Sequence, residues 1–187
     1  MLLGSSFSKM PLLSLRIGSM VGSVVGHLIN PHSLKIDALW VKIGGFKEPR
    51  LLLYRDIREV SPKGVVIDDM DVVILPEDAL RLKPIIDLAF EILDKRVLSS
   101  SIPLGKVADY ALDRDSFYIQ KLYVTPTVWK KLQSSRLTID RSQVIEVSQN
   151  YIKVKGSEVK GKQLLPLETR QQSLSSMPSA SAATTEE

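Results

Sequence analysis

The chain has 187 residues, 44% of them hydrophobic and 25% charged, with a formal net charge of +4. This is the composition of an ordinary folded protein, and the length suits one domain or two small ones. The absence of cysteine excludes disulfides, thiolate metal sites and a cysteine nucleophile, and it fits a reducing compartment.

Met1–Lys9 has no hydrophobic period and reads as a loose lead-in. Lys9 and Arg16 interrupt the apolar residues of the N-terminal region, and no basic segment precedes them. No stretch reaches the ~18 uninterrupted apolar residues of a membrane span, so the expected location is cytoplasmic. Pro11–Gly18 alternates, with Leu13, Leu15 and Ile17 on one face, and reads as a short strand. Val24–Ile29 and Leu34–Ile43 come next as strands around the turn Asn30-Pro31-His32-Ser33. In the second of these, apolar residues on both faces beyond Leu39 predict a strand end covered on both sides. Leu51–Tyr54 is a further strand, and Ile57–Val60 and Val65–Ile67 flank a hairpin turn at Ser61-Pro62-Lys63-Gly64.

Much of this recurs. Gly22–Val41 and Gly105–Val124 superpose without a gap, pairing Gly22 with Gly105, Val24 with Val107, Ser33 with Ser116, Ile36 with Ile119, Leu39 with Leu122 and Val41 with Val124. Asn30 falls on Asp113, Leu34 on Phe117 and Trp40 on Tyr123. A second hairpin, Val144–Val147 with Tyr151–Val154, closes the later copy, and Glu59-Val60-Ser61 overlays Glu146-Val147-Ser148. The shift is 83 residues at the first glycine and 87 at the glutamate, so the later copy carries an insertion at Pro126–Ser135, where Val128, Trp129 and Leu132 would face inward from a helical turn. Two copies this small are near the lower limit for separate cores and are expected to lean on each other.

Between the copies, Pro76-Glu77-Asp78 is a helix-start signal. Pro84 divides the inter-copy segment into a short turn over Ala79–Lys83 and a helix over Ile85–Lys95. The helix has an apolar stripe of Ile85, Leu88, Ala89, Ile92 and Leu93, and an i,i+4 pair of Glu91 with Lys95. After Pro166 the composition turns to Ser, Ala, Thr and Gln without period, and Gln171–Glu187 is expected to be disordered.

The run Gly105-Lys106-Val107-Ala108-Asp109-Tyr110-Ala111-Leu112-Asp113, with its subsequent Leu-aromatic-Val strand and late hairpin, resembles the PRC-barrel family. Asp140–Val147 resembles the end of that barrel. The first copy departs from the pattern with Gly26 at the position of Asp109 and Asn30 at that of Asp113. The resemblance implies a mainly all-β protein of two small PRC-type β-barrels in tandem, over residues 10–75 and 96–165. An amphipathic helical segment at 76–95 joins them, and a disordered C-terminal tail occupies 166–187. Relatives of this kind include the cytoplasmic domain of the photosynthetic reaction-centre H subunit and the second domain of the ribosome maturation factor.

No constellation reads as a catalytic set. Asp68-Asp69-Met70-Asp71 lacks the glycine-bearing loop and distal glutamate of an EF-hand and reads as a turn or solvated strand end. His27 and His32 have no third ligand or nucleophile nearby in sequence and read as structural or surface residues. Gly18–Gly26 lacks the Lys-Ser/Thr of a phosphate loop, and its glycines fit a barrel corner or bulge. The serines, Ser99–Ser101 among them, lack a nucleophile-elbow context.

Charge is unevenly placed. Residues 121–163 carry Lys121, Lys130, Lys131, Arg136, Arg141, Lys153, Lys155, Lys160 and Lys162 against only Asp140, Glu146 and Glu158. The sequence therefore supports a non-catalytic interaction or adaptor protein with a protein partner and no cofactor or metal. Its barrel edges or inter-barrel helix could serve oligomerisation, and Tyr110, Phe117, Tyr118, Tyr123 and Trp129 are candidate exposed aromatics, about half of them expected to be buried. The alternative is an RNA- or ribosome-associated factor using Lys130, Lys131, Arg136, Arg141, Lys153 and Lys155.

Overall fold

Alternating burial along the strands builds two sheets with one wiring plan. The computed structural model describes residues 1–126 and 137–155. The expected helical turn within Pro126–Ser135, the tail, and Lys130, Lys131, Arg136 and Trp129 lie outside those residues.

The strands run β1 (Leu2–Leu3), β2 (Pro11–Ser14), β3 (Ser19–Asn30), β4 (Lys35–Ile43), β5 (Arg50–Leu53), β6 (Glu59–Ser61), β7 (Gly64–Ile67) and β8 (Val73–Ile74). After one short helix, α1 (Lys83–Leu88), come β9 (Arg96–Ser99), β10 (Ile102–Leu112), β11 (Ile119–Pro126), β12 (Leu137–Asp140), β13 (Val144–Val147) and β14 (Tyr151–Val154). The first sheet has the order β6-β7-β2-β3-β4-β5-β8, and the second the order β13-β14-β9-β10-β11-β12 with β1 beside β10. Both curl into half-barrels. Each has one parallel pair, β2 beside β7 and β9 beside β14. All other pairings are antiparallel.

The repeat seen in the sequence is a repeat of backbone detail. Register shifts in β3 fall between Val24 and Gly26 and between Leu28 and Ile29. In β10 they fall between Val107 and Asp109 and between Ala111 and Leu112, the matching positions. Such bulges bend a strand and let a sheet curl. The glycine that opens each copy has a steric reason. A Cβ on Gly22 would overlap the Lys42 carbonyl on β4, and one on Gly105 the Thr125 carbonyl on β11.

Several elements differ from the sequence reading. Strand β2 ends at Ser14, with Leu12 buried and Leu13 only partly so, while Leu15 and Ile17 stand exposed in the turn to β3. That turn closes by Gly18 N–H donating to the Ser14 carbonyl at 2.8 Å, which takes Leu15 and Ile17 out of the alternating face. Met1–Lys9 is not a loose lead-in: β1 joins the second sheet, Gly4–Phe7 forms a 3-10 turn, and Phe7 is fully buried. Helix α1 stops at Leu88 because Ala89 turns left-handed, with φ 44°. Beyond it Phe90 and Ile92 are buried while Leu93 is exposed, a period of two that suits extended chain leading into β9. Lys95 Nζ donates to the Gln149 carbonyl at 2.6 Å and lies over the Phe90 ring, while Glu91 still favours the Lys95 charge from outside direct ion-pair contact.

The core is continuous. One apolar cluster runs from Phe7, Leu12, Val24, Ile36 and Leu39 of the first sheet to Val97, Val107, Ile119, Leu122 and Ile152 of the second. A smaller cluster lies on the outer face of the first sheet, where Leu28, Ala38 and Leu51 meet Ala79, with Trp40, Ile85 and Ile86 packed around them. It accounts for the double-sided burial expected at the end of β4.

Replacing Gly105 with Ala forces the β10–β11 backbones apart. Urea denaturation should record a loss of ~2 kcal/mol or more, in the range of overpacked interiors. A change within ~0.5 kcal/mol would mean the strand shifts freely to admit the methyl.

Candidate functional site

The two sheets meet at the tips of the β3–β4 and β10–β11 hairpins, and equivalent residues meet each other there. In the first tip the Asn30 carbonyl accepts from Leu34 N–H at 2.9 Å; in the second the Asp113 carbonyl accepts from Phe117 N–H at 3.0 Å. Asn30 Oδ1 also accepts from His32 N–H, and Asp113 Oδ1 from the N–H and Oγ of Ser116. The hydrogen bonds of Ser116 hold the Asp113 carboxyl below the usual carboxylate range. Each turn ends on a large apolar residue in the left-handed region, Leu34 at φ 52° and Phe117 at φ 59°, and each of the two is 5% exposed. That conformation is unfavourable for such side chains, and burial of both holds it.

The turned-back residues then bond across the seam. Ile36 N–H donates to the Phe117 carbonyl at 2.9 Å, and Ile119 N–H donates to the Leu34 carbonyl at 2.8 Å. Lys35 and Tyr118 form an antiparallel bridge between the sheets, and they are equivalent residues of the repeat. The Tyr110 hydroxyl lies 2.7 Å from His27 Nδ1, a second pair of equivalents. Lys35 Nζ sits 3.5 Å from the centre of the Tyr54 ring, and Arg141 stacks over Tyr118 at 4.2 Å while donating to the Ser33 carbonyl at 2.9 Å. The halves thus associate as a symmetric dimer would, residue i against its own counterpart.

Two similar clefts flank this bridge. One, of about 480 Å³, is lined by Tyr54, Arg55, Arg58, Glu59 and Arg114 among others. Its counterpart, of about 330 Å³, is lined by Pro31, His32, Arg141 and Ile145–Val147 among others. Of the basic residues in the sequence reading, Arg141 is engaged at the seam by its bond to Ser33 and its stacking on Tyr118. Lys153 lies in β14 opposite Glu146, and Lys155 is exposed just beyond the strand.

His27 lies edge-on to Phe7, ring centres 5.2 Å apart, as well as against Tyr110. Burial pulls its pKa from 6.5 to about 4, against the opposing pull of Asp109. Its Nε2 is buried without a partner among the described residues, so a proton added there meets no acceptor. Burial also pushes the Tyr110 phenol well above its ordinary value, and Asp109 adds to the effect. The pair is therefore a neutral, structural one. Two carboxylates of the Asp68–Asp71 run are engaged in a turn, while Asp71 is exposed: Asp69 caps the 3-10 turn Met70–Val72 and pairs with Arg16, and Asp68 pairs with Arg58 at 2.7 Å. Of the candidate exposed aromatics, Tyr110 and Phe117 are buried, and Tyr118 and Tyr123 are half-buried.

A further cavity, of about 410 Å³, is lined by Asp37, Leu53, Arg55 and Leu82 among others, and another, of about 490 Å³, lies between β3 and the segment that leaves α1. Gly26, Trp40, Ile86, Phe90 and Leu93 are among its lining residues, with His27 and Tyr110 at its inner end. Of its lining residues, Val25 and Leu93 stand exposed at 49% and 47%. Trp40 lies over Gly26, whose missing side chain leaves it room: a Cβ there would be 3.4 Å from Trp40 Cδ1. No sequence motif singles these residues out. The available signal is the repeat itself, because Gly26 against Asp109 and His27 against Tyr110 are among the positions where the copies diverge.

No family model matches the chain, and no curated protein sequence matches it. No helix of the described residues is long and apolar enough to cross a membrane.

Lowering the pH protonates His27 more easily in the unfolded chain than in the folded one. Its contribution to stability is complete above about pH 6.5 and is lost as the pH falls toward 4. Denaturation midpoints of the wild type should drop across that window by the equivalent of ~2 kcal/mol beyond the drop in His27→Gln. Parallel profiles for the two proteins would mean that His27 accepts its proton without disturbing the seam.

Proposed function

We propose that this chain is a non-catalytic adaptor built as a tandem of PRC-type barrels, presenting an apolar site beside its seam to another protein. The observation that supports this best is the cavity beside β3, with its exposed Val25 and Leu93 and its few ionisable groups. Apolar concavities with a sparse set of polar groups are the usual form of a binding site. The PRC-barrel resemblance supports the same reading: the shared wiring, parallel closure and matched bulges of the two sheets are what a tandem of one small barrel would have. The neutral His27–Tyr110 pair and the tied-up carboxylates of Asp68 and Asp69 leave neither feature poised for acid–base work.

The second reading is binding of RNA. Arg55, Arg58 and Arg114 around one cleft favour it, beside Lys153 and Lys155 on the last strand. A pull-down from source lysate with and without nuclease, using wild type and Lys130→Glu/Lys131→Glu/Lys155→Glu, separates the two. A protein partner retained in all arms is the expected result. RNA or ribosomal species that disappear with nuclease and in the charge variant would replace the adaptor reading with the second one.

A further inference from the structure

The two halves treat one edge of their longest strand differently. In the second sheet, β9 covers the edge of β10 only as far as Lys106, and farther along the same edge β1 takes over. Leu2 pairs with Leu112 and Leu3 with Ala111, while β11 holds the opposite edge. The segment is anchored as well as paired. Ser5 donates from N–H and Oγ to the Asp109 carboxylate, at 3.1 and 2.6 Å, and Gly4 lies flat on the Tyr110 ring, where no Cβ would fit.

The equivalent edge of β3 has no strand among the described residues. Strand β2 covers β3 only as far as Ser23, and the last bonds on that side join Val24 to Lys9 and Met10. The same two bonds join Val107 to Asp94 and Lys95 in the second half, so the edges correspond. From there on, Gly26–Asn30 pair with β4 alone among the described residues. What lies next to them is α1, whose Ile85 and Ile86 pack against the cluster that holds Leu28, a helical cover that leaves the ladder itself unpaired. The cavity of about 490 Å³ occupies the gap.

We infer that this cavity takes an extended peptide of a partner protein, which adds as a short strand to the edge of β3 around Leu28–Ile29, as β1 adds to β10. The inference rests on the adaptor reading and names what the adaptor holds. Main-chain bonds to an unpaired edge supply affinity, and alternate side chains supply specificity. The seated internal segment, Leu2-Leu3-Gly4, states the chemistry: large aliphatic side chains to fill the apolar walls, then a small residue where the chain crosses the aromatic inner end. The differences between the halves fit a ligand rather than a permanent strand. Where Asp109 ties down Ser5, the first half has Gly26, and no carboxylate fixes an occupant. Where the Tyr110 ring faces Gly4, the first half has His27, already bonded to Tyr110. Trp40 lies open over Gly26 beside the space.

Trp40 makes the test direct. The full chain carrying Trp129→Phe leaves Trp40 as its sole tryptophan, since the sequence has two. It is titrated with the capped peptide Leu-Leu-Gly-Ser-Ser-Phe, and with Ser-Ser-Gly-Ser-Ser-Phe as control. A saturable change in Trp40 fluorescence is expected, with affinity roughly tenfold lower for the serine peptide, as for loss of apolar anchors. Val25→Arg, placed on the bulged and exposed residue at the cavity mouth, should weaken binding by a similar factor while its circular dichroism and melting temperature stay unchanged. Three results overturn the inference: no saturable change with either peptide, binding indifferent to Val25→Arg, or a concentration-dependent dimer that added peptide does not dissociate. The last would make a second copy the occupant. In each case a nuclease-resistant protein partner in the pull-down would leave the adaptor reading standing with its site elsewhere. Peptide binding at Trp40 with only RNA captured would do the reverse.

Discussion

The structure depends on one constraint at the seam, two buried residues held in a backbone conformation they would not choose. Leu34 and Phe117 both take positive φ, and that turns their carbonyls toward the amides of Ile119 and Ile36. Remove either and the reciprocal pair of bonds is lost, along with the register of the Lys35–Tyr118 bridge. Left-handed backbone costs of order 1 kcal/mol for such residues, and each hydrogen bond returns a similar net amount. The local balance is near zero. Burial of the two side chains, each worth ~2 kcal/mol, decides in favour of the closed seam. Neither half supplies that burial alone, which is why the apolar core runs unbroken through both sheets.

Internal symmetry explains where specific features sit. A two-fold arrangement brings each residue near the axis against its own counterpart, so changes between copies matter most there. His27 facing Tyr110 gives a hydrogen bond that two identical residues would make less well: a phenol held neutral and an imidazole held neutral are complementary partners. Away from the axis the copies were free to diverge. One long strand acquired an internal partner in β1, and its twin kept, among the described residues, an unpaired edge next to an apolar cavity. A duplicated fold can in this way keep one copy of a site as structure and the other as function.

Much of this is legible in the residues. The gapless match of Gly22–Val41 with Gly105–Val124 carries the duplication, because strands, bulges and turns place fixed demands on spacing. The glycines demand the most, since the facing carbonyls of Lys42 and Thr125 leave no room for a side chain. The Asn30 and Asp113 turns are equally readable, as their side chains bond backbone within three residues. Sequence period overextends the helix over Ile85–Lys95, because Ile85, Leu88 and Ile92 fit a helical spacing while Phe90 and Ile92 also fit an extended one. Only packing distinguishes those periods. The short lead-in Met1–Lys9 carries no local signal because its partner, β10, lies about a hundred residues away.

What the sequence determined by itself, then, is whatever rests on local geometry and its repetition: two copies of one strand plan, their turns, their glycine corners and their shared mainly β character. Tertiary structure alone decided how the copies meet, that His27 faces Tyr110, that Arg141 is held at the seam, and that among the described residues β3 keeps an unpaired edge where β10 has a partner. The physical reason is range. Turn chemistry and strand alternation act over a few residues and are written there, whereas an interface and an unpaired edge exist only once distant segments have competed for the same surface.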